Sequence, residues 1–449
     1  DELPTDNKDY EDYTFTILGH LYEAGSVAWG VQDIAVDELT GERINDAVFE
    51  RNNRIADRFG VTIAKNLETY PSDVAKKLIQ SGDDAFDLLQ TTVEKQASMA
   101  VDGYLANMND LPYVNFEKAW WDSSTMEGIR VGDKTFYALG DSALNGKKAS
   151  WLMLFNKTLT DKAGIPNLYD TVREGKWTLD LLQTYAESIA VDVNGDGEMK
   201  WGEDVFGVGL QDESVSPLLI GTGAKLIELN PDGTYNYRLN SEQVVNAMER
   251  INSFMKKSNS NFVLNCNRYD GMSNQWIEFR KIFMADQMGF YILALSGVNL
   301  IAGDMQSDFG IIPVPKLNEA QDQYYSTFQY NNAHSLSVPK SAQDLTRTGL
   351  ITEALQMFSH DTVLPAYYDY TLTNRNARDT DSAEMLDLIF ASRNFDISLA
   401  YNNKTGVLSF LQTNAVADSF DYASKEAANR QKVEKAVDEI IEKVLHGND

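Results

Sequence analysis

Three sets of side chains in this sequence have the types and spacing to do chemistry. The most local is DVNGDGEMKWGED, in which Asp192, Asn194, Asp196, Gly197 and Glu203 satisfy the pattern D-x-[DN]-x-[DN]-G-x5-E. Alternating oxygen donors around a glycine that permits a sharp turn are how a loop wraps a hard cation, with Ca2+ the expected ion. Asp192, Asn194 and Asp196 would offer side-chain oxygens, Glu198 its carbonyl, and Glu203 or Asp204 a carboxylate. A solvated Asp/Gly turn is the alternative. Such a loop occurs singly and not as a pair, so a bound ion would brace the fold and not sense calcium.

The second set combines aromatic and planar polar side chains. A sugar presents faces of C–H bonds and edges of hydroxyls, and its binders answer with aromatic platforms and groups that hold two hydroxyls at once. Here Tyr22, Trp120, Trp121, Tyr291 and Tyr330 stand near expected strand ends or loops, with His20, Glu23, Gln90, Thr91, Asp141, Asp212, Asn331 and Asn332 as polar partners. FQYNNAHS brings Tyr330, Asn331 and Asn332 together, and Trp120–Trp121 lies in a stretch without periodicity, a poor place to hide two indoles in a core. For each of them the structural alternative is a packed ring or a capped turn. Trp177, just before Thr178, reads instead as an apolar staple on a helix that Thr178 caps.

The third set, His20, His334, His360 and His446, is scattered without metal-like spacing, and no H-E-x-x-H, G-x-S-x-G or P-loop pattern occurs. Cys266 is the only cysteine, which excludes an internal disulfide and a multi-cysteine metal site. Carboxylates are plentiful, 67 in all, but a glycosidase needs two held about 5–10 Å apart, which sequence spacing does not establish. The expectation is a binder and not an enzyme.

These groups need a scaffold. At 449 residues the chain exceeds one hydrophobic core, so two lobes are expected. A formal charge of −28 repels phosphate backbones, making nucleic acid an improbable partner. No run of 18 apolar residues occurs to span a bilayer. The acidic opening, residues 1–11, suits a flexible tether, and cysteine avoidance is common outside the cytoplasm.

YTFTILGH alternates as a first strand, and Ile44, Val48, Ile55 and Phe59 recur at helical spacing after it. FGVTI, then a helix through SDVAKKLIQSG, then AFDLLQTT continue the alternation, which predicts a parallel sheet covered by helices. Further strands are expected at TFYALG, SWLMLFN, VFGVGL, MGFYILAL, FGIIPVP and HSLSVPK, and the last helix carries Val433, Val437, Ile440, Ile441 and Val444 on one stripe. The class is α/β.

Several of these stretches resemble the family 1 extracellular solute-binding proteins: GERINDAVFERNNRIADRFGVTI, FDLL, WLMLFNKTLTDKAGI followed by GKWTLDLL, and DFGIIPVPK followed by HSLSVPKSAQ. The likeness runs over nearly the whole chain. It implies a two-lobed, periplasmic-binding-protein-like type II fold with mixed sheets covered by helices and a ligand cleft between the lobes. One lobe would hold 12–143 and 283–333, the other 144–282 and 334–449. It further implies an extracellular or periplasmic monomer of a carbohydrate ABC importer, attached to the membrane only by an N-terminal lipid anchor. That protein would close on a neutral oligosaccharide and pass it to the permease. A peptide or polyamine is the alternative ligand, and a carbohydrate-active enzyme the weaker alternative function.

Overall fold

The computed structural model describes residues 3, 9–22, 28–268, 274–373 and 380–447. Alternation in YTFTILGH produces β1 (Tyr13–His20), which buries Phe15 and Ile17. Helix Arg43–Phe59 follows, with Ala47, Val48, Arg51, Ile55 and Phe59 on its buried stripe. The Glu42 side chain accepts from the Asn45 N–H at its start, and Gly60 ends it at φ 60°, a left-handed conformation that costs glycine least. The chain then forms β2 (Val61–Glu68), helix Pro71–Gln80 and β3 (Leu88–Thr92). β1 lies between β2 and β3, parallel to both.

The second sheet starts with β4 (Trp151–Asn156), whose six residues are all buried, as expected for a strand covered on both faces. β5 (Phe206–Leu210) follows, then a small hairpin of β6 (Ile227–Leu229) and β7 (Tyr235–Tyr237), then β8 (Val263–Asn265), β9 (Met288–Ala294) and β10 (Phe309–Ile312). The order is β10-β4-β9-β5-β8; β4 is antiparallel to both its neighbours, and β5 is parallel to β9 and β8. The last strand, β11 (His334–Ser337), returns to the first sheet and runs antiparallel to β3.

These ladders exchange part of the division expected from sequence. Residues 283–333 supply β9 and β10 to the second sheet, not the first, while β11 from the segment beginning at 334 completes the first sheet. Helices Leu345–Asp361 and Val363–Thr373 also pack on helix Arg43–Phe59. A wholly apolar strand such as MGFYILA states that it is buried without stating against which neighbours.

TFYALG makes isolated bridges, Ala138 to Leu336 and Gly140 to Trp121, instead of a strand. Of the expected tether, 1–2 and 4–8 lie outside the described residues. Leu3 is buried, and the Tyr10 N–H donates to the Phe59 carbonyl (2.9 Å), so these two are held against the first lobe. Trp177 is fully buried, its indole N–H donating to the Pro313 carbonyl (3.0 Å), and the Thr178 hydroxyl caps helix Leu179–Ile189 by accepting from the Leu181 N–H (3.3 Å).

Candidate ligand cleft

Beside the second sheet, where the chain crosses back towards the first, opens a cavity of about 500 Å3. The second lobe gives most of its wall: Gln211 and Glu213 beyond the end of β5, Cys266 after β8, Trp276 and Arg280 on helix Gln275–Met284, and Tyr291 to Ala294 of β9. The segment returning to the first sheet adds Gln329, Asn331 and Asn332, and the loop after β1 adds Trp29. The Asn332 amide donates to Gln329 Oε1 (3.2 Å) and Asn331 Oδ1 (3.3 Å), fixing a patch of planar amides at the crossing. Asn145 donates to the Trp29 carbonyl (3.0 Å), tying down the backbone that carries the indole. Trp276 stays 44% exposed on the cavity, an apolar surface that a ligand would cover.

Glu213 is the most unusual group in this wall. Among the described residues nothing donates a hydrogen bond to its carboxylate, and burial alone pushes its carboxyl up to about 7. Arg280, on the same cavity, likewise has no ion-pair partner among the described residues.

Of the residues expected from sequence, Tyr291, Asn331 and Asn332 reach this wall. Tyr330 turns aside, its hydroxyl meeting the Asn402 amide (3.4 Å). Asp212 sits beside the cavity but accepts from Asn265 (2.8 Å) and Arg268 (2.9 Å), which organises the rim. His20, Tyr22 and Gln90 line a separate pocket of about 30 Å3 in the first lobe. There Tyr22 and His334 Nε2 are 2.6 Å apart, Asn145 donates to the Tyr22 hydroxyl (3.0 Å), and Gln90 donates to the buried Asp33 (2.9 Å). Burial lowers His334 to about 3, so its ring is neutral.

Four others are absorbed by structure, and one cannot be placed. Thr91 is buried opposite Ser335 in the β3–β11 ladder. Trp120 and Trp121 both donate their indole N–H to Glu353 (2.9 and 2.8 Å), satisfying a carboxylate on helix Leu345–Asp361 and leaving neither ring in the cleft. Asp141 is buried against His360 Nδ1 (2.7 Å) and Lys147 (3.5 Å), and that hydrogen bond raises the His360 imidazole above its ordinary range. Glu23 lies outside the described residues.

The acidic loop joins helix Leu179–Ile189 to β5, closed by paired backbone bonds between Val191 and Val205. Asp192 accepts from the Gly195 and Gly197 N–H groups (2.7 and 2.8 Å), Asn194 from Asp196 (2.8 Å) and Asp196 from Glu198 (2.8 Å). Glu203 lies 3.3 Å from the Asn194 amide. Asp204, buried, spends both oxygens on the Val193 and Lys200 N–H groups (2.8 and 2.7 Å) and so shapes the loop. The Lys200 ammonium lies 2.7 Å from Asp196 and 3.2 Å from the Glu198 carboxylate. Among the described residues no three His, Cys, Asp or Glu side chains converge as a metal-binding group. The donor set is all oxygen, which fits a hard cation, but Lys200 must leave before one enters.

No protein-family model matches the chain, and no curated protein matches its sequence. Solved structures do match over almost its whole length. An ABC substrate-binding protein from Listeria monocytogenes in complex with cycloalternan is 13% identical, with 97% of this chain and 99% of that one covered and a TM-score of 0.54. The cyclic α-maltosyl-1,6-maltose binding protein of Arthrobacter globiformis is 15% identical, with coverage of 94% and 98% and a TM-score of 0.60. A sugar transporter protein from Rhizobium etli in an open conformation is 13% identical, with coverage of 96% and 99% and a TM-score of 0.58. The chain has the two-lobed α/β fold of the ABC-transporter solute-binding proteins.

Proposed function

We propose that this protein is the solute-capturing component of an ABC importer, acting outside the cytoplasmic membrane. It binds a carbohydrate in the cleft and passes it chemically unchanged to the permease. The observation that carries this reading is the cavity of about 500 Å3 at the lobe crossing, where Trp29, Trp276 and Tyr291 stand with Gln211, Gln329, Asn331 and Asn332. Rings answer the C–H faces of a sugar, and amides answer adjacent hydroxyls. A structural neighbour in complex with cycloalternan and another named for binding cyclic α-maltosyl-1,6-maltose support the class of solute. Among the described residues no helix is long and apolar enough to cross a membrane, and attachment through an N-terminal lipid anchor belongs to the same proposal. So does Ca2+ in the loop at 192–204, where it displaces Lys200 and braces the second lobe.

Thermal unfolding across a panel of oligosaccharides, with peptide, polyamine and inorganic anion controls, tests the reading. A sugar at a hundredfold excess over its Kd adds about 2.7 kcal/mol of stability, a shift of several degrees. A flat sugar panel with a shift from a control would keep the fold and sink the carbohydrate claim.

A further inference from the structure

A second cavity, of about 370 Å3, adjoins the cleft and shares Ala28 and Ser296 with its wall. Its first-lobe side is the start of helix Arg43–Phe59, including Asn45; its other side carries Ser296, Asn299 and Tyr370. Lys148 also lines it. This side chain is buried to 7% exposure, yet among the described residues its ammonium has no hydrogen-bond acceptor and no ion-pair partner. The carboxylate whose charge it feels, Asp33, accepts instead from Gln90 (2.9 Å) and the Leu144 N–H (2.8 Å).

The ammonium opens onto the cavity with no protein acceptor among the described residues, and its place there points to a charge supplied from outside. Three further features bear on the sign of that charge. The start of a 17-residue helix borders the same space, its positive end already met by the Glu42 side chain and by Asp46 in its first turn. Glu42, the carboxylate on the rim, is exposed and already accepts from the Asn45 N–H (2.9 Å). Burial lowers the Lys148 ammonium only to about 8, which leaves it charged at neutral pH.

We propose that this cavity is the second part of the binding site, that Lys148 takes an anionic group of the ligand there, and that the captured solute is an acidic oligosaccharide. The claim rests on the carbohydrate reading of the cleft and replaces the neutral sugar expected from sequence. Carboxylate and sulfate groups share the chemistry that Lys148 recognises, and the probes separate them.

Calorimetric titration of the full chain would compare trigalacturonate, its methyl ester, a sulfated chondroitin disaccharide and maltotetraose. The proposal expects an acidic sugar to bind at least about tenfold more tightly than its uncharged counterpart, the size of one charge-assisted hydrogen bond. K148M removes that preference and K148R keeps it, with the unfolding temperature of each ligand-free variant confirming an intact fold. Trigalacturonate against the sulfated disaccharide tells carboxylate from sulfate. Equal or tighter binding of the methyl ester or maltotetraose, or a preference that survives in K148M, overturns the proposal. A wild type that answers none of the sugars contradicts the carbohydrate reading itself.

Discussion

A carboxylate held in a cavity wall without a donor works against the fold that holds it. Burial raises the Glu213 carboxyl from 4.5 to about 7. Between those values the folded chain binds more protons than the unfolded one, so this group lowers stability as pH rises through that window. Its cost is absent below pH 4.5 and complete above about 7. Replacing it by its uncharged isostere, Glu213→Gln, is therefore expected to stabilise the ligand-free protein at pH 8 and leave it unchanged at pH 4.5. Urea unfolding at the two pH values reads the difference, and a variant less stable than wild type at pH 8 would show that a protein donor already satisfies the carboxylate. The same substitution is expected to weaken sugar binding about tenfold or more, because hydroxyls donating to a charged acceptor are lost. Stability given up at a binding wall is the usual signature of a site kept for its ligand.

At the scale of the element, periodicity made β1, helix Arg43–Phe59 and the last helix legible, because one face of each is buried and the other is not. The cleft was much less legible. Its wall draws on residues near 29, 211, 276, 291 and 331, which only the lobe crossings bring together. Thr91, Asp141 and Asp212 look in sequence like Gln211 and Glu213, all polar and following apolar runs. What separates them is whether another part of the chain already satisfies them. Asp212 has Asn265 and Arg268, whereas Glu213 next to it has no donor among the described residues. Trp120 and Trp121 follow the same logic, since Glu353 that takes both indoles lies more than 200 residues away. The acidic loop, by contrast, is a local motif, and its test is local too. Millimolar Ca2+ is expected to raise the unfolding temperature relative to chelator, and Asp196→Asn to shrink that gain. Equal unfolding temperatures in Ca2+ and chelator would leave Lys200 as the loop's permanent counter-charge.

Across the whole molecule, the chain passes from the first sheet to the second before β4 and returns before β11. These passages meet at Arg393, which is buried, pairs with Asp122, and donates to the Gly146 carbonyl (2.6 Å) and the Ser150 hydroxyl (3.1 Å). Ser326, on the returning segment, forms a backbone bridge with the same residue. On the proposed function, a fixed junction beside an open cavity is where two lobes would rotate about the crossings, with ligand contacts from both sides favouring closure. The proposed permease would read that closure. Small-angle X-ray scattering with and without a saturating sugar identified by the stability panel tests this most directly. Capture by lobe closure requires a smaller radius of gyration in the bound state with the molecular mass unchanged; identical scattering curves at saturation would rule it out.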